Sequence, residues 1–503
     1  MASISRFLEP QAELADGLAA GEVEVLEARR YGGAWVLDRL FERLGISAAL
    51  RAAAAGRRLD ATLTERILFA LIAQRALEPA SKLAATRWVA ERVAIEGCPA
   101  FTEDAAYRAM DFLGTALPEI AEAVFARTAS LLNLACDVIF VDTSSTSFCC
   151  DLADEEIELE RAVEDAEAEA AGETETGPPE AATRRFSKHS KDHRPDLPQV
   201  VIGMAVTAEG IPVRCWTFPG NASDQAIIRT IHDDLAGWRL NRVLWVADAG
   251  SASVANRGYL QRGNGHYVLA EKLRSRSASV GSVLARAGRY RQVADNLSVK
   301  EVRLGEGTRA ERFVLCHNPE AAERDRAVRA NLLAYLTERI AGSDGWQQRR
   351  RDELLGELRA TPALYRLLRR TKGGLLRIDR AAVAAEERLD GKWLLRSSDE
   401  SLSAADLALA YKQLSQIERG WRDLKGALKL RPAFHYREDR IRSHIQLCWL
   451  ALLLIRVVEN DTDMSWRAVR EELDRMHLVT LATEHGRVAK RSLTTPGQRQ
   501  ILA

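Results

Sequence analysis

Two short apolar runs in this chain each stop at an aspartate. Asp137 to Val141 is rich in β-branched and apolar residues and ends at Asp142; Arg242 to Ala247 ends at Asp248. Between them lie two more strand-like runs, Gln199 to Val206 and Pro212 to Phe218. These flank Thr207-Ala208-Glu209-Gly210-Ile211, whose Glu-Gly suits a tight turn. Pro219-Gly220-Asn221 marks a loop and Asp224 to Leu235 reads as a helix. After Asp248 come a helix over Ala252–Gln261 and a strand over His266–Ala270. The predicted order is β-β-β-α-β-α-β. Such a chain folds as an α/β layer structure, and ligand sites in open α/β sheets gather at strand C-terminal ends. The ends of strands one and four are where the two aspartates fall.

The rest of the chain divides by composition. Its 503 residues suggest about three domains, and 47 % apolar residues suffice for real cores. Residues 1–134 are Ala-, Leu- and Arg-rich with helical periodicity. Leu63–Arg75 and Ala80–Val93 look amphipathic and carry Arg66, Arg75, Lys82, Arg87 and Arg92, so this is a candidate DNA-binding module or an ordinary helical domain with solvated arginines. Core residues are expected over 135–270, interrupted at 150–183 by an acidic, Ala/Glu-rich insert read as a surface segment. Residues 271–400 carry short strand candidates (Tyr290–Val293, Glu301–Leu304, Glu311–Cys316) and a charged helix near Ala321–Ile340. A second core part is expected over 401–460, and a C-terminal helical tail over 461–503.

Formal net charge is zero, which argues at first against a polyanionic partner. From Asp151 to Glu180, however, thirteen acids face one base, so the rest of the chain carries +12. Arg184, Arg185, Lys188, His189, Lys191, His193 and Arg194 cluster after the insert, either as phosphate contacts or as partners of the acidic segment. Seven scattered cysteines with no CxxC pair signal no zinc site and fit a reducing interior. Met1–Pro10 lacks a signal-peptide core, and Leu447–Ile455 is too short to span a bilayer, so a cytoplasmic protein without a membrane is expected. No Ser-His-Asp elbow, P-loop or Rossmann glycine pattern occurs.

Leu402 to Ala427 reads as one long helix capped by Ser403. Tyr411, Leu414, Glu418, Arg422 and Lys425 then share a face, on which an acid is flanked by cations and a hydroxyl. Tyr411-x2-Leu414-x3-Glu418-x6-Lys425 resembles the Y-x2-R-x3-E-x6-K signature of bacterial cut-and-paste insertion-sequence transposases of the DDE type, with Leu414 in place of the arginine. The resemblance extends to Val141-Asp142-Thr143-Ser144, Pro219-Gly220-Asn221-Ala222-Ser223-Asp224 and Val246-Ala247-Asp248-Ala249-Gly250. It continues through Leu430-Arg431-Pro432-Ala433-Phe434-His435 and Arg440-Ile441-Arg442-Ser443-His444-Ile445, so it spans roughly 135–460.

That resemblance implies a ribonuclease-H-like catalytic core, a mixed five-stranded sheet flanked by helices, with a largely β insertion domain before the glutamate. It implies Asp142, Asp248 and Glu418 as both catalytic residues and metal ligands. Three carboxylates gathered without a cation would repel, each pair at ~4 Å costing about 4 kcal/mol at an effective dielectric of ~20. All-oxygen donors select Mg²⁺ or Mn²⁺, and two such ions suit in-line displacement at phosphorus. DNA contacts are expected from Tyr411, Arg422, Lys425 and Arg419, from Lys188, Lys191 and Arg194, and from Trp393, where related enzymes place an aromatic for a flipped base; a core tryptophan is the competing reading. The implied partners are terminal inverted repeats, target DNA and a second copy of the chain, in a nucleoid setting. A nuclease that cuts without joining, and a domesticated DNA-binding protein, are the alternatives.

Overall fold

The computed structural model describes residues 23–132, 138–148, 184–186, 194–236, 243–248, 250, 252–275, 277–307, 310–431, 433, 435, 437–483 and 486–502. Contacts divide the chain into two units, Met1–Val243 with Gln413–Ala503, and Leu244–Lys412. The acidic insert, Lys188, His189, Lys191 and His193 lie outside the described residues.

The first unit opens with β1 (Val23–Arg30) and helices α1 (Gly32–Arg43), α2 (Ile46–Ala54), α3 (Ala61–Leu77), α4 (Lys82–Arg87) and α5 (Glu103–Leu131). Asp60, Ser81 and Thr102 cap α3, α4 and α5 by accepting the amides of Leu63, Ala84 and Ala105. The expected amphipathic reading of Leu63–Arg75 does not hold: α3 is buried from Thr64 to Ala76, charged residues included. Arg66 donates to Asp38 at 2.8 Å and to Glu65 at 2.6 Å, so its charge is neutralised inside the helical layer. β2 (Val138–Ser147), β3 (Gln199–Thr207) and β4 (Pro212–Pro219) form an antiparallel meander, followed by α6 (Asp224–Ala236). The turn expected between β3 and β4 closes through Gly210, at φ +81°, whose amide donates to Thr207 O.

The second unit starts with β5 (Val243–Ala247), α7 (Val254–Leu260), β6 (Gly265–Glu271), α8 (Ala278–Ala285), β7 (Arg291–Ala294), β8 (Leu297–Leu304) and β9 (Glu311–His317). Helices α9 (Pro319–Ile340), α10 (Gln348–Arg359) and α11 (Pro362–Tyr365) precede a ribbon, β10 (Leu368–Arg370) and β11 (Leu376–Ile378), then α12 (Arg380–Glu387), β12 (Lys392–Ser397) and α13 (Ala404–Lys412). Its sheet runs β5-β6-β12-β9-β8-β7. The insertion expected to be largely β is so only in part: β7, β8, β9 and β12 extend the sheet, while Pro319–Glu387 is mainly helical around its own apolar cluster of Leu336, Leu354, Leu358 and Leu376.

The chain then returns to the first unit with α14 (Ser415–Lys425), α15 (Glu438–Thr462), α16 (Trp466–Leu473), β13 (His477–Thr483), β14 (Gly486–Arg491) and α17 (Pro496–Leu502). α15 is its central helix, packed on α3, α5 and β4. Trp449 Nε1 donates to Pro212 O at 2.8 Å and Gln446 Nε2 to Cys215 O at 3.2 Å. By length and composition Asp439–Thr462 could cross a membrane, but nearly all of it is buried inside the protein, as befits a core helix. The C-terminal segment is not a helical tail: β13 pairs with both β14 and β1, which closes a three-stranded sheet from the two ends of the described chain. Nor is the helical segment before β2 a separate body, since it shares its core with α15. The element order from β2 to β6 is that of the ribonuclease-H-like class, within an α/β chain with a helical N-terminal region.

Candidate active site

Asp142 does not end its strand. β2 runs on through Thr143-Ser144-Ser145-Thr146-Ser147, paired with β3 throughout, so Asp142 lies mid-strand opposite Met204. Polar Ser and Thr hid this extension, because only their pairing with the apolar β3 makes them strand. Glu418 occupies the first turn of α14, where the helix N-terminus favours a negative charge, and it is exposed. α14 buries Ile417, Gly420, Trp421 and Leu424 against β2 and β3. Its closest approach is at Gly420, where a Cβ would stand 2.9 Å from Met204 Cε. Met204 therefore touches the glutamate helix two residues after Glu418 and faces Asp142 across the ladder. The helix that carries Glu418 thus packs on the sheet that carries Asp142, within the first unit.

α14 is held in that position by ions. Arg419 donates to Glu459 Oε1 at 2.9 Å, and Arg456 bridges Glu459 to Asp423 Oδ2 at 2.5 Å. Arg419, among the residues expected to contact DNA, is thus ion-paired within the fold while its side chain stays partly exposed. Beyond the helix, Arg75 donates to Leu428 O at 3.4 Å, and His444 Nε2 meets Leu430 O at 3.3 Å. Lys82 Nζ lies 3.3 Å from His444 Nδ1. With Nε2 donating to Leu430, Nδ1 is the acceptor for Lys82. Burial pushes the Lys82 ammonium down to about 7, helped by Arg75, and holds both His435 (about 3) and His444 far below the usual histidine range. Spacing along the sequence gives no sign of this cluster, because its members come from α3, α4, α15 and the loop between α14 and α15.

In the second unit Asp248 follows β5 and is exposed; the Tyr411 hydroxyl donates to its Oδ1 at 3.5 Å. The single long helix expected over Leu402–Ala427 is two. Ser403 caps the first reciprocally, Asp406 N donating to its Oγ at 3.2 Å and Ser403 N donating to Asp406 Oδ2 at 3.2 Å. That helix, α13, ends at Lys412, and i→i+3 turns at Gln413 and Leu414 precede α14. Tyr411 therefore does not share a helical face with Glu418. Leu414, at the arginine position of the signature, is buried, which is why an apolar residue stands there.

Arg422 is exposed one turn beyond Glu418, and Lys425 is half-buried at the end of α14. Of the basic cluster after the acidic insert, Arg184 is buried over the Phe148 ring, Arg185 pairs by backbone with Gln199, and Arg194 is bidentate to Asp196 (2.7 and 2.9 Å). Arg437 and Arg440 are engaged by Asp439 and Asp111. In the helical region, Arg75 and Lys82 are interior, whereas Arg87 and Arg92 reach the surface. Trp393 lies half-buried in β12, opposite Cys316 of β9, and its indole N–H is buried without a hydrogen-bond partner among the described residues.

The donors offered by Asp142, Asp248 and Glu418 are carboxylates, the chemistry a hard divalent ion requires. Among the described residues no three His, Cys, Asp or Glu side chains stand gathered as a formed metal cluster. The fold and these acids define a ribonuclease-H-like α/β protein with carboxylates on a central strand and on the helix packed over it. The family model Transposase DDE domain matches residues 172–454, more than half of the chain, and the chain belongs to that family. The matched span includes Asp248 and Glu418 and begins beyond Asp142. No curated protein matches the chain. Among solved structures it is similar to one described as the cryo-EM structure of a piggyBac transposase synaptic complex with hairpin DNA, at 9 % identity and a TM-score of 0.39, covering 88 % of this chain and 79 % of that one.

Proposed function

We propose that this transposase cuts DNA at the ends of its element and joins them to target DNA, with Asp142, Asp248 and Glu418 as its catalytic carboxylates. The observation that carries this reading is the Asp142–Met204–Gly420 contact line, which sets the helix of Glu418 against the strand of Asp142. Packing of the glutamate helix on the aspartate strand supports this reading, because the two segments are far apart in the chain. In cleavage a water oxygen bonds to phosphorus as the 3′ oxygen leaves; in joining, a DNA 3′ hydroxyl takes the place of water. The chain itself supplies position: β2 holds Asp142, the Glu459–Arg456 pair fixes α14 and so Glu418, and the Tyr411 hydroxyl steadies Asp248. Mg²⁺ or Mn²⁺, held by the three carboxylates, would supply the positive charge that lowers their mutual repulsion and offsets charge on the leaving oxygen. Arg422 and Lys425 follow Glu418 on α14, in place to meet phosphate. Joining needs two ends at once, so the working assembly on DNA is a dimer.

The test is cleavage of duplexes carrying the element's ends. Asp142→Asn and Glu418→Gln should each lower Mg²⁺-dependent cleavage by about 10³-fold or more while DNA binding persists. Undiminished cleavage in either variant would reject the assignment. Cleavage without any joined product would make the chain a nuclease.

A further inference from the structure

A basic ribbon on the second unit lies outside every residue assigned above. From Ser343 to Arg380 the chain holds ten Arg and Lys against five Asp and Glu. Within this stretch β10 and β11 pair with Arg369 directly opposite Arg377. Leu368 and Leu376 are buried in the local apolar cluster, so the alternate positions Arg369 and Arg377 belong to the outer face. Like charges facing each other across an antiparallel pair are destabilising. Asp344 relieves one of them, being bidentate to Arg377 at 2.6 and 2.7 Å. Arg369 is exposed and has no ion pair among the described residues. The fold therefore retains a cation at a position that costs it stability.

The surroundings add to the charge and hold it in place. The tip closes through Thr371 N to Leu375 O at 2.9 Å, with Gly374 at φ +77°, and presents the exposed Lys372. Arg370 pairs with Asp352 of α10 at 2.9 Å, which docks the ribbon beside the first turns of that helix. Arg349 precedes Asp352 by three residues and so shares its face. Arg350 stacks over the Trp346 ring at 4.1 Å. Guanidinium groups held in this way match phosphate oxygens, and a two-stranded ribbon fits the major groove of B-DNA.

We propose that the β10–β11 ribbon and the first turns of α10 form a binding surface for the phosphate backbone of duplex DNA, separate from the carboxylates. Contacts to the backbone are indifferent to sequence, so this surface grips DNA of any sequence and its affinity falls with salt.

The test uses the full chain, a labelled duplex of about 30 bp, EDTA to prevent cleavage, and fluorescence anisotropy between about 50 and 200 mM salt. Arg369→Ala combined with Lys372→Ala should weaken binding about tenfold and lower the slope of log affinity against log salt by about 2, near 0.9 for each phosphate no longer neutralised. The thermal midpoint should stay level or rise, because the repulsion on Arg377 is removed. Unchanged affinity and slope would overturn the proposal, as would weakened binding to an RNA duplex with DNA binding intact. Should the alanine variant melt at a lower temperature, the same measurement on Arg369→Gln with Lys372→Gln decides. Glu418→Gln should bind like the unaltered chain. Normal binding by the ribbon variant, with cleavage abolished in Glu418→Gln, would remove this surface and leave the catalytic reading standing.

Discussion

Glu459 sits almost out of water on α15, and its two oxygens take Arg419, Arg456 and the Trp466 amide. Its partners differ in burial: the Arg456 side chain is 3 % exposed and the Arg419 side chain 44 %. Buried pairs are costly to break because a charge is left behind, whereas exposed pairs contribute little. Glu459→Ala should therefore cost about 3 kcal/mol in urea unfolding, and Arg419→Ala less than about 1 kcal/mol. Equal costs would show that burial does not set the strength of this clamp. The Asp390-Gly391-Lys392-Trp393 stretch makes a related point. Asp390 is bidentate to Arg329, and Gly391 holds φ +64° where a Cβ would collide with Asn318 O. What the sequence marks as a stretch leading to an aromatic for DNA is, at two of its four positions, a turn that locks β12 to the start of α9.

At the level of elements, α4, α15 and the loop after α14 meet in a core of bases. Around Lys82 stand Arg75 of α3, His435 of the loop, and His444 and Cys448 of α15; Tyr107 of α5 and Arg440 lie beside His435. Lys82 titrates near 7 when folded and near 10.5 when unfolded. Between these values the unfolded chain holds the proton and the folded chain does not, so the contribution of Lys82 to stability rises with pH across this window and is lost as pH falls toward 7. The two histidines extend the loss below their ordinary value of 6.5. Urea unfolding of Lys82→Met should lack the rise between pH 7 and 8, which in the parent approaches about 1.4 kcal/mol per pH unit before the buried cysteines, raised from 9.0, begin to oppose it. A parent curve flat over that window would show that Lys82 keeps its proton. The break between α13 and α14 is decided at the same level. Gln413-Leu414 contains no glycine or proline, and the helix ends there with Leu414 placed in the core.

Across the whole molecule, the first unit is assembled from both ends of the chain and the second from the stretch between them. Each has its own core, so local damage should stay within one unit. Gly391→Ala should cost about 3 kcal/mol through left-handed strain and backbone collision. By hydrogen exchange it should lower protection of β6, β9 and β12 amides while those of β2, β3 and α15 keep theirs. Uniform loss of protection across both units would show one cooperative body instead. Much of this architecture was legible beforehand: β3, β4, β6, β9, α6 and α9 lie within a residue or two of their expected limits, because alternation, β-branching and turn residues act locally. The β1–β13–β14 sheet was not, since His477–Thr483 lacks a period-two alternation and one of its two partner strands lies at the other end of the chain. Nor was the interior place of Arg66, Arg75, Lys82 and Arg184, which reads from sequence as ordinary basic surface. By itself the sequence determined the order of strands and helices from β2 to β6 and the place of Asp248 just after β5, where periodicity and local chemistry suffice. Only the tertiary structure decided which charges face water and which hold the fold, because Asp38, His444 and the carbonyls of 428–430 reach their partners through space, and spacing along the chain carries no record of that.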